Sequence, residues 1–503
     1  MLRFWENPEF IRHLRSELRP ARVASAVAIT YIVIAFIAMA VFNHDTKPTE
    51  RMMLESYRAF YAIILSIAGG LLVLWCLSVG SQAVAGEREL KTFDFLRTTR
   101  LTAGELLVGK LLGSPILAYV IYACTLVVVV PAGIAGGYSL AGVLLTIFLV
   151  LCLALLVGLC GIWLSMLVEK MNRGAGVLLL FVLWPFVMMG TMADGSGTDF
   201  PGFSCLSPFP AILWAHGERT GFGRTGHVPV FGVPVPYAAV TLAIYATLAA
   251  WLVLMIVRNF KRDIEEVRLL SRWQAIGLAF YINVLFYAFI DLQRVLGNRD
   301  GAMMITWMAL LLTALTTALV GLATLSPPER LKIWERRRAV GEEGYLSEDG
   351  LPWPWMVVTT AMGFGMLSVQ ALAVSSRTAT ADFSLQYAGI AALQLLAFCM
   401  RDVLFLQWCR LTRMKNPVSK GFLLLLLYYF AATMVIIVVA AASQKNGLFA
   451  ARVLTPVFFF EQNERAAAAA AMMTAVAVQG AVIAVLMGAI ATRLRRTLVI
   501  AQA

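Results

Sequence analysis

The closest approach to a chemical motif in this chain lies between Gly104 and Lys110, where the residues match the GxxxxGK spacing of a phosphate-binding loop. Such a loop holds phosphates with backbone N–H groups and its lysine, and a Ser or Thr after the lysine binds magnesium. Leu111 stands in that place here, and no strand pattern precedes the segment. We therefore expect no nucleotide or other cofactor to bind this chain.

Other residue types that could do chemistry are sparse. The sequence has no HExxH or GxSxG element and no carboxylate pair spaced for acid–base work, so the chain is not expected to be an enzyme. His216 and His227 lie near Glu218, but the two histidines lack a close-ligand spacing. The seven cysteines form no CxxC pair. No metal site is predicted from either set.

Composition decides the class of protein, because 60% hydrophobic residues, 14% charged residues and a mean hydropathy of +0.79 leave too little polar surface for a soluble fold. Continuous apolar runs must satisfy their backbone groups as helices in lipid, so the predicted fold is all-α and polytopic. About twelve spans are expected, at 23–42, 59–81, 106–130, 138–168, 175–193, 237–257, 273–291, 302–325, 353–374, 384–408, 421–442 and 466–492.

Charge sets the expected orientation. Most of the 41 Lys and Arg residues fall in alternate loops that include the N-terminal segment, and such residues are retained on the cytoplasmic side. Both termini are therefore predicted to be cytoplasmic. The net charge of +12 is read as this topology signal, with membrane lipid as the expected contact and no nucleic acid partner.

Few ionisable residues lie at bilayer depth, and the adjacent pair Arg401 and Asp402 is the clearest case. Such residues are functional candidates by default, but a place at the membrane interface is the better explanation of this pair. The scarcity also disfavours a proton- or sodium-driven carrier, which needs an acidic relay near the midplane.

The elements expected to position functional residues form three regions. Residues 1–22 predict an interfacial helix capped by Asn7 with Pro8 at its first position. Residues 23–258 predict a six-span domain with a charged loop at 86–110 and an outer loop at 194–236. Residues 259–503 predict a second six-span region, either a fused second half or an accessory extension.

The charged loop carries the main functional signal. Acidic and basic side chains alternate from Glu87 to Glu89, and apolar residues such as Phe93 follow among further charges. Thr102 with Glu105 forms a capping-box pattern, which predicts a helix that starts at Ala103 and runs through Lys110 into the third span. A solvated loop whose charges only keep it out of the bilayer is the alternative interpretation.

This order of residues resembles the permease subunits of ABC-2 type ABC transporters, as does the N-terminal segment. The matching residues are Glu87, Arg88, Glu89, Thr92, Asp94, Leu96, Thr99, Glu105, Gly109, Lys110, Leu111 and Leu112. Lys91 and Arg100 depart from the pattern, because the family usually has glycine before the threonine and proline after Thr99. The resemblance is clearest over residues 1–258.

The resemblance implies a permease driven by a separate ABC ATPase subunit, which would bind ATP and magnesium and dock on a coupling helix. It also implies export, a place in the inner (plasma) membrane, and a homo- or pseudo-dimer. The coupling residues it implies are Glu87, Arg88, Glu89, Thr92, Phe93, Asp94, Phe95, Leu96, Glu105 and Lys110. The rival hypothesis is a polytopic membrane enzyme or an assembly scaffold for envelope biogenesis.

Two further sites are expected. The cytoplasmic loop 326–352 holds the same place in the second half as the charged loop in the first, and a second coupling helix there would use Glu329, Arg330, Lys332 and Trp334. The outer loop could form a short gating helix with Phe209, Trp214, His216 and Glu218. The predicted spans contain no polar cluster that would identify the substrate.

Overall fold

The computed structural model describes two compact units of the 503-residue chain, unit 1 (Met1–Leu269) and unit 2 (Leu270–Ala503). The described residues are 6–43, 49–93, 100–167, 208, 212, 227–231, 233–261, 270–289, 299–375, 385–412, 417–442, 444–456 and 465–500. The predicted span 175–193 lies outside them.

Unit 1 begins with a short amphipathic helix, α1 (Pro8–Glu17), and a long apolar helix, α2 (Pro20–Phe42). The side-chain oxygen of Asn7 accepts a hydrogen bond from the backbone N–H of Glu9 at 3.0 Å, and Pro8 occupies the first turn. The cap predicted from the sequence is therefore confirmed.

The remaining helices of unit 1 follow in chain order. They are α3 (Glu50–Gly80), α4 (Ala85–Glu89), α5 (Ala103–Gly113), α6 (Ile116–Ala135), α7 (Leu140–Leu167) and, after a hairpin, α8 (Tyr237–Asn259). Strands β1 (His227–Val230) and β2 (Val233–Pro236) form that antiparallel hairpin, with Val230 opposite Val233. It lies within the predicted outer loop, where the sequence was not expected to form strands.

The start of the third span differs from the prediction. The helix begins at Ala103 as expected, and Thr102 and Glu105 form the reciprocal capping box. It ends at Gly113, however, and a new helix begins at Ile116 after a turn at Ser114 and Pro115. Pro115, which has no backbone N–H to continue the first helix, lies at this break, and the expectation of one continuous helix was wrong.

Unit 2 has a comparable series of helices. They are α9 (Arg272–Ala288), α10 (Arg299–Ala323), α11 (Pro328–Ala339), α12 (Trp353–Ser375), α13 (Leu385–Arg410), α14 (Pro417–Ala442), α15 (Gln444–Leu454) and α16 (Arg465–Ile500). The Ser271 hydroxyl and the Gln274 side chain form a capping box at the start of α9.

Among the described residues, nine helices are long and apolar enough to cross a membrane. Helices α9 and α12 form where two more spans were predicted, but α9 has only 17 residues. The chain is thus a polytopic membrane protein of the all-α class, and the small hairpin is the only sheet within the described residues. The count of twelve spans and the cytoplasmic termini stay predictions.

The pair Arg401 and Asp402 lies within α13 and not at its end, with Arg401 buried and Asp402 partly buried. Arg401 is nine residues before the last residue of the helix, Arg410, which is roughly 14 Å along the axis. Its guanidinium donates to Asp402 Oδ1 at 2.6 and 2.8 Å, to the hydroxyls of Tyr428 and Tyr429, each at 3.0 Å, and to Gln479 Oε1 at 3.0 Å. The network joins α13, α14 and α16.

Candidate functional site

The short helix α4 is fixed to the end of α7 by hydrogen bonds. The Ser165 hydroxyl of α7 accepts from the backbone N–H groups of Val84 at 2.9 Å and Ala85 at 2.8 Å. The Arg88 guanidinium donates to the carbonyl of Met166 at 3.0 Å. Backbone N–H groups at a helix start have no partner within the helix, so Ser165 satisfies donors that would otherwise stay buried and unpaired.

Helix α4 ends in a Schellman motif, which terminates a helix with one residue in the left-handed conformation. The N–H of Thr92 donates to the carbonyl of Glu87 at 2.9 Å, and the N–H of Lys91 donates to that of Arg88 at 3.0 Å. Lys91 has a φ of 55°, so a lysine adopts the backbone that favours glycine. The residue before it, Leu90, is 75% exposed.

Phe93 is buried within unit 1, although the sequence predicted it to anchor a partner. Its side chain is 4% exposed and packs with Leu159 of α7 and with Ile256 of α8. The Arg88 guanidinium lies 4.9 Å from the centre of the Phe93 ring, a cation–π contact. Phe93 therefore attaches the loop to its own core, and the expectation that it faces an ATPase does not fit this position.

Lys110 is buried at the centre of a charge cluster formed by Glu9, Arg12, Glu87 and Lys110. It is 2% exposed, and its Nζ lies 2.6 Å from Glu87 Oε1 and 3.2 Å from Glu9 Oε1. Arg12 Nη2 is 2.8 Å from Glu9 Oε1 and 3.1 Å from Glu87 Oε1. Two carboxylates and two cations thus neutralise one another where an unpaired charge would be costly.

The cluster joins three elements that are far apart in the sequence. Glu9 and Arg12 come from α1, Glu87 from α4 and Lys110 from α5. Lys110 is one of the coupling residues that the resemblance implies, and its buried ammonium group is bonded to two carboxylates of its own chain, so it has no surface for direct contact with a partner. Its position makes it a link between the helices.

Ionisation of Glu9 depends on this cluster. Burial, the largest influence, raises the pKa of Glu9, but the hydrogen bond from His13 and the positive charges of Lys110 and Arg12 lower that pKa from 4.5 to about 2. His13 Nε2 lies 3.3 Å from Glu9 Oε1 and 3.4 Å from the Ser114 hydroxyl. Glu9 is therefore a carboxylate at neutral pH despite being 3% exposed.

Two glycines of α5 let α1 approach closely. A Cβ at Gly109 would lie 2.8 Å from Glu9 Cβ, and a Cβ at Gly113 would lie 3.0 Å from His13 Cβ. The Asn7 amide also donates to the carbonyl of Glu105 at 2.7 Å. Sequence reasoning missed Glu9, although glycines four residues apart are a known signal of close helix crossing.

Glu105 and Glu89 have different surroundings. Hydrogen bonds from the backbone and side chain of Thr102 lower the pKa of Glu105, so this carboxylate caps α5. Glu89, Lys91 and Thr92 are exposed beside Leu90. Of the other predicted coupling residues, Asp94, Phe95 and Leu96 lie outside the described residues.

The second predicted site forms helix α11, which is amphipathic in its packing. Leu331 and Trp334 are buried, and Trp334 is 1% exposed against Leu404 of α13 and Ile490 of α16. The Trp334 Nε1–H donates to the carbonyl of Gly344 at 3.2 Å. Glu329 is exposed, and Arg330 and Lys332 are partly exposed.

Arg272, which sequence reasoning missed, fixes this second loop from the start of α9. It is buried, and its guanidinium donates to the carbonyls of Ser347 at 2.7 Å, Leu351 at 3.3 Å and Thr324 at 3.3 Å. It also donates to the Ser326 hydroxyl at 3.0 Å and to the carbonyl of Gly350. A planar guanidinium group can donate hydrogen bonds to several carbonyl oxygens at once.

The predicted outer gate cannot be placed, because Phe209, Trp214, His216 and Glu218 lie outside the described residues. Within the part of the chain that the structure describes, no group of three His, Cys, Asp or Glu residues could hold a metal ion.

Comparison with known proteins gives one match. The family model described as ABC-2 family transporter protein matches residues 15–326. The matched range covers α2 to α8 and continues into unit 2 through α10. No curated protein and no solved structure gives a significant match.

Proposed function

The chain belongs to the ABC-2 family of transporter proteins and is a membrane permease, and from this premise we propose that it is the membrane-spanning subunit of an ATP-driven exporter. A separate ABC ATPase subunit would bind ATP and magnesium and hydrolyse the nucleotide, while this chain forms the path for the substrate. The proposal places both termini and α4 on the cytoplasmic side of the inner (plasma) membrane, where ATP is found.

The observation that carries the proposal is the exposed edge at the end of α4. Leu90 stands out from the surface with Glu89 and Lys91 on either side of it. An exposed apolar side chain with charged neighbours is the pattern of an interface centre and its rim. We therefore assign docking to the segment Glu89–Thr92, and this assignment replaces the buried Phe93 and Lys110 as contacts of the ATPase.

The charge cluster supplies the mechanical connection. When an ATPase pushes on α4, Glu87 moves with it, and the short contacts from Glu87 to Lys110 and Arg12 draw α5 and α1 along. Ser165 and Arg88 tie the same helix to the end of α7. Movement at the docking edge therefore reaches the helices on both sides of the loop, and no residue of this chain takes part in ATP hydrolysis.

Affinity purification of the tagged chain from native membranes tests the proposal. Wild type is compared with Leu90→Asp and with Val233→Asp, a matched control in the hairpin whose side chain is also exposed. Mass spectrometry should identify an ABC ATPase with wild type and with the control. Recovery with Leu90→Asp should fall by about tenfold or more, because an interface anchor contributes at least about 1.4 kcal/mol.

Two results would overturn the proposal. Failure of wild type to recover any ABC ATPase under conditions that preserve such complexes would remove the transporter subunit role and favour a scaffold. Equal recovery with Leu90→Asp and wild type would remove the docking assignment.

A further inference from the structure

We propose that unit 2 repeats the helical arrangement of unit 1 and that α11 is a second docking helix, for a second ATPase subunit. The inference rests on the proposed function, because the partner is the one assigned to α4. Its consequence is that a single chain supplies both halves of the permease.

The first argument is the order in which long helices pack. In unit 1, α3 packs on α2, α6 and α7. Helix α6 also packs on α2 and α7, and α7 packs on α8. In unit 2, α10 packs on α9, α12 and α13. Helix α12 also packs on α9 and α13, and α13 packs on α16. We count the span predicted from the sequence at 175–193 as the fifth of unit 1. Both units then pair the first span with the second and third, the second with the third and fourth, the third with the fourth, and the fourth with the sixth.

The second argument is a glycine at the end of the second long helix of each unit. A Cβ at Gly80, the last residue of α3, would lie 2.8 Å from the carbonyl oxygen of Gly158 in α7. A Cβ at Gly321, in the last turn of α10, would lie 2.7 Å from a methyl carbon of Val403 in α13. Each unit therefore has a close approach of its second and fourth helices near the end of the second helix.

The third argument is a polar side chain in the last turn of the fourth helix. In unit 1, Ser165 accepts hydrogen bonds from the backbone just after α3. In unit 2, the Gln407 side chain accepts from the N–H of Ser326 at 3.1 Å and donates to its carbonyl at 2.9 Å, just after α10. Both loops are thus held at their first residues by the fourth helix.

The fourth argument is a buried aromatic residue in each loop. Phe93 packs against α7 and α8, and Trp334 packs against α13 and α16. In both units these are the fourth helix and the helix in sixth place. The ring is the anchor that orients each loop on its own unit.

The fifth argument concerns the surface that is left free for a partner. Helix α11 ends in a Schellman motif, in which the N–H of Glu342 donates to the carbonyl of Arg337 at 2.9 Å and Gly341 has a φ of 83°. The residue before Gly341 is Val340, which is 76% exposed. Leu90 holds the same place in α4, so each unit presents an exposed branched side chain at the same point of the same motif.

Neighbouring side chains define the partner further. Ile333 and Arg336 are exposed on α11, and the exposed Arg337 forms an ion pair with Glu343 at 2.9 Å; the edge of α4 carries one acidic and one basic residue beside Leu90. Glu342, next to Gly341, is exposed as well, so each edge carries charges of both signs around its exposed apolar residue and fits the same kind of groove. One kind of ATPase subunit can therefore bind both loops.

Native mass spectrometry of the complex purified through the tagged chain tests the proposal. Wild type should give one permease chain with two ATPase subunits. Leu90→Asp and Val340→Asp should each give one chain with one ATPase, and the double variant should give none. The control Val233→Asp should keep both subunits. Both docking residues are exposed in the structure, so neither change disturbs a core.

The outcomes separate this inference from the proposed function. A complex of one chain with one ATPase, or of two chains with two, that loses ATPase on Leu90→Asp but is unchanged by Val340→Asp overturns the second docking site and leaves the first. Absence of ATPase from every sample overturns both.

Discussion

The loop that contains α4 in unit 1 and the loop that contains α11 in unit 2 are built alike but fixed by different chemistry. In unit 1, carboxylates of α1 and α4 meet the Lys110 ammonium group and the Arg12 guanidinium. In unit 2, the Arg272 guanidinium meets backbone carbonyls and the Ser326 hydroxyl. Opposite charges can be removed one at a time and can titrate, whereas carbonyl dipoles cannot. The same task is therefore sensitive to charge and pH in one unit and to donor geometry in the other.

The strongest test of this contrast removes the central cation of unit 1. Lys110→Met leaves the carboxylates of Glu9 and Glu87 with Arg12, and Glu9 also with His13, and breaking a buried ion pair from one side costs about 3–5 kcal/mol. Fluorescence-detected unfolding of the purified protein in detergent should show the loss. Arg51→Met is the matched control, because its partner Glu55 is exposed and such a pair contributes about 0–1 kcal/mol. Equal effects of the two changes would contradict the cluster.

Low pH is the second test of the contrast between the two loops. The pKa of Glu9 is lowered to about 2, so its stabilisation is complete above the unfolded pKa of about 4.5 and is lost as pH falls through about 2. That shift corresponds to about 3 kcal/mol. The difference in the free energy of unfolding between wild type and Glu9→Gln should be constant from pH 7 to 5 and should shrink below pH 4.5. A difference that does not depend on pH would rule out Glu9 as the titrating group.

Donor geometry should matter more in unit 2. Arg272→Lys keeps the charge but replaces a fork of five donors by a compact ammonium group. Some of the carbonyls of Ser347, Gly350 and Leu351 then lose their partner inside the protein, at about 1–3 kcal/mol. Thermal unfolding and protease cleavage within residues 341–352 should both report the change. If Arg272→Lys unfolds like wild type, positive charge alone is sufficient there.

The close approach of α1 to α5 in unit 1 can be tested at Gly109. A methyl group at Gly109 would collide with the Glu9 side chain, and such overpacking costs about 1–3 kcal/mol. Gly104→Ala on the same helix is the control, because nothing lies within 4 Å of the added carbon and alanine favours a helix by up to about 1 kcal/mol. The two glycine changes should shift the unfolding midpoint in opposite directions.

The C-terminal ends of α4 and α11 give the test with the smallest expected effect, and the same backbone conformation is tested in both units. Lys91→Gly should stabilise unit 1 by about 1 kcal/mol, since glycine adopts the left-handed backbone without strain. Gly341→Ala should destabilise unit 2 by about 1–2 kcal/mol for the same reason. Both can be measured by thermal unfolding, and a loss of stability in Lys91→Gly would show that the lysine side chain compensates for its backbone.

Local sequence signals predicted much of this fold. The Asn7 cap and the Thr102 capping box were readable because they depend on residues within three positions of each other. Pro115 was an equally local signal, but the apolar run around it suggested one continuous span. Hydropathy shows that a segment is apolar and does not show where its helix breaks.

The candidate site was predicted only in outline, since the direction of a side chain depends on partners that are distant in the sequence. The charges from Glu87 to Lys110 suggested a contact with another protein. Glu9, which meets Lys110, lies about a hundred residues earlier, and nothing near Lys110 predicts that meeting. Phe93 was interpreted as an anchor for a partner and Trp334 as part of a second coupling helix, because an amphipathic pattern does not say which apolar residue faces the chain's own core.

The Arg401 network also constrains how this protein is made. An arginine near the centre of a helix opposes insertion into the bilayer by about 2.5–3.5 kcal/mol. Asp402 is synthesised with Arg401, but Tyr428, Tyr429 and Gln479 emerge from the ribosome later. Helix α13 must therefore wait at the insertion machinery, or sit in lipid with its polar groups incompletely bonded, until α14 and α16 arrive. Biogenesis of unit 2 thus depends on its last helix.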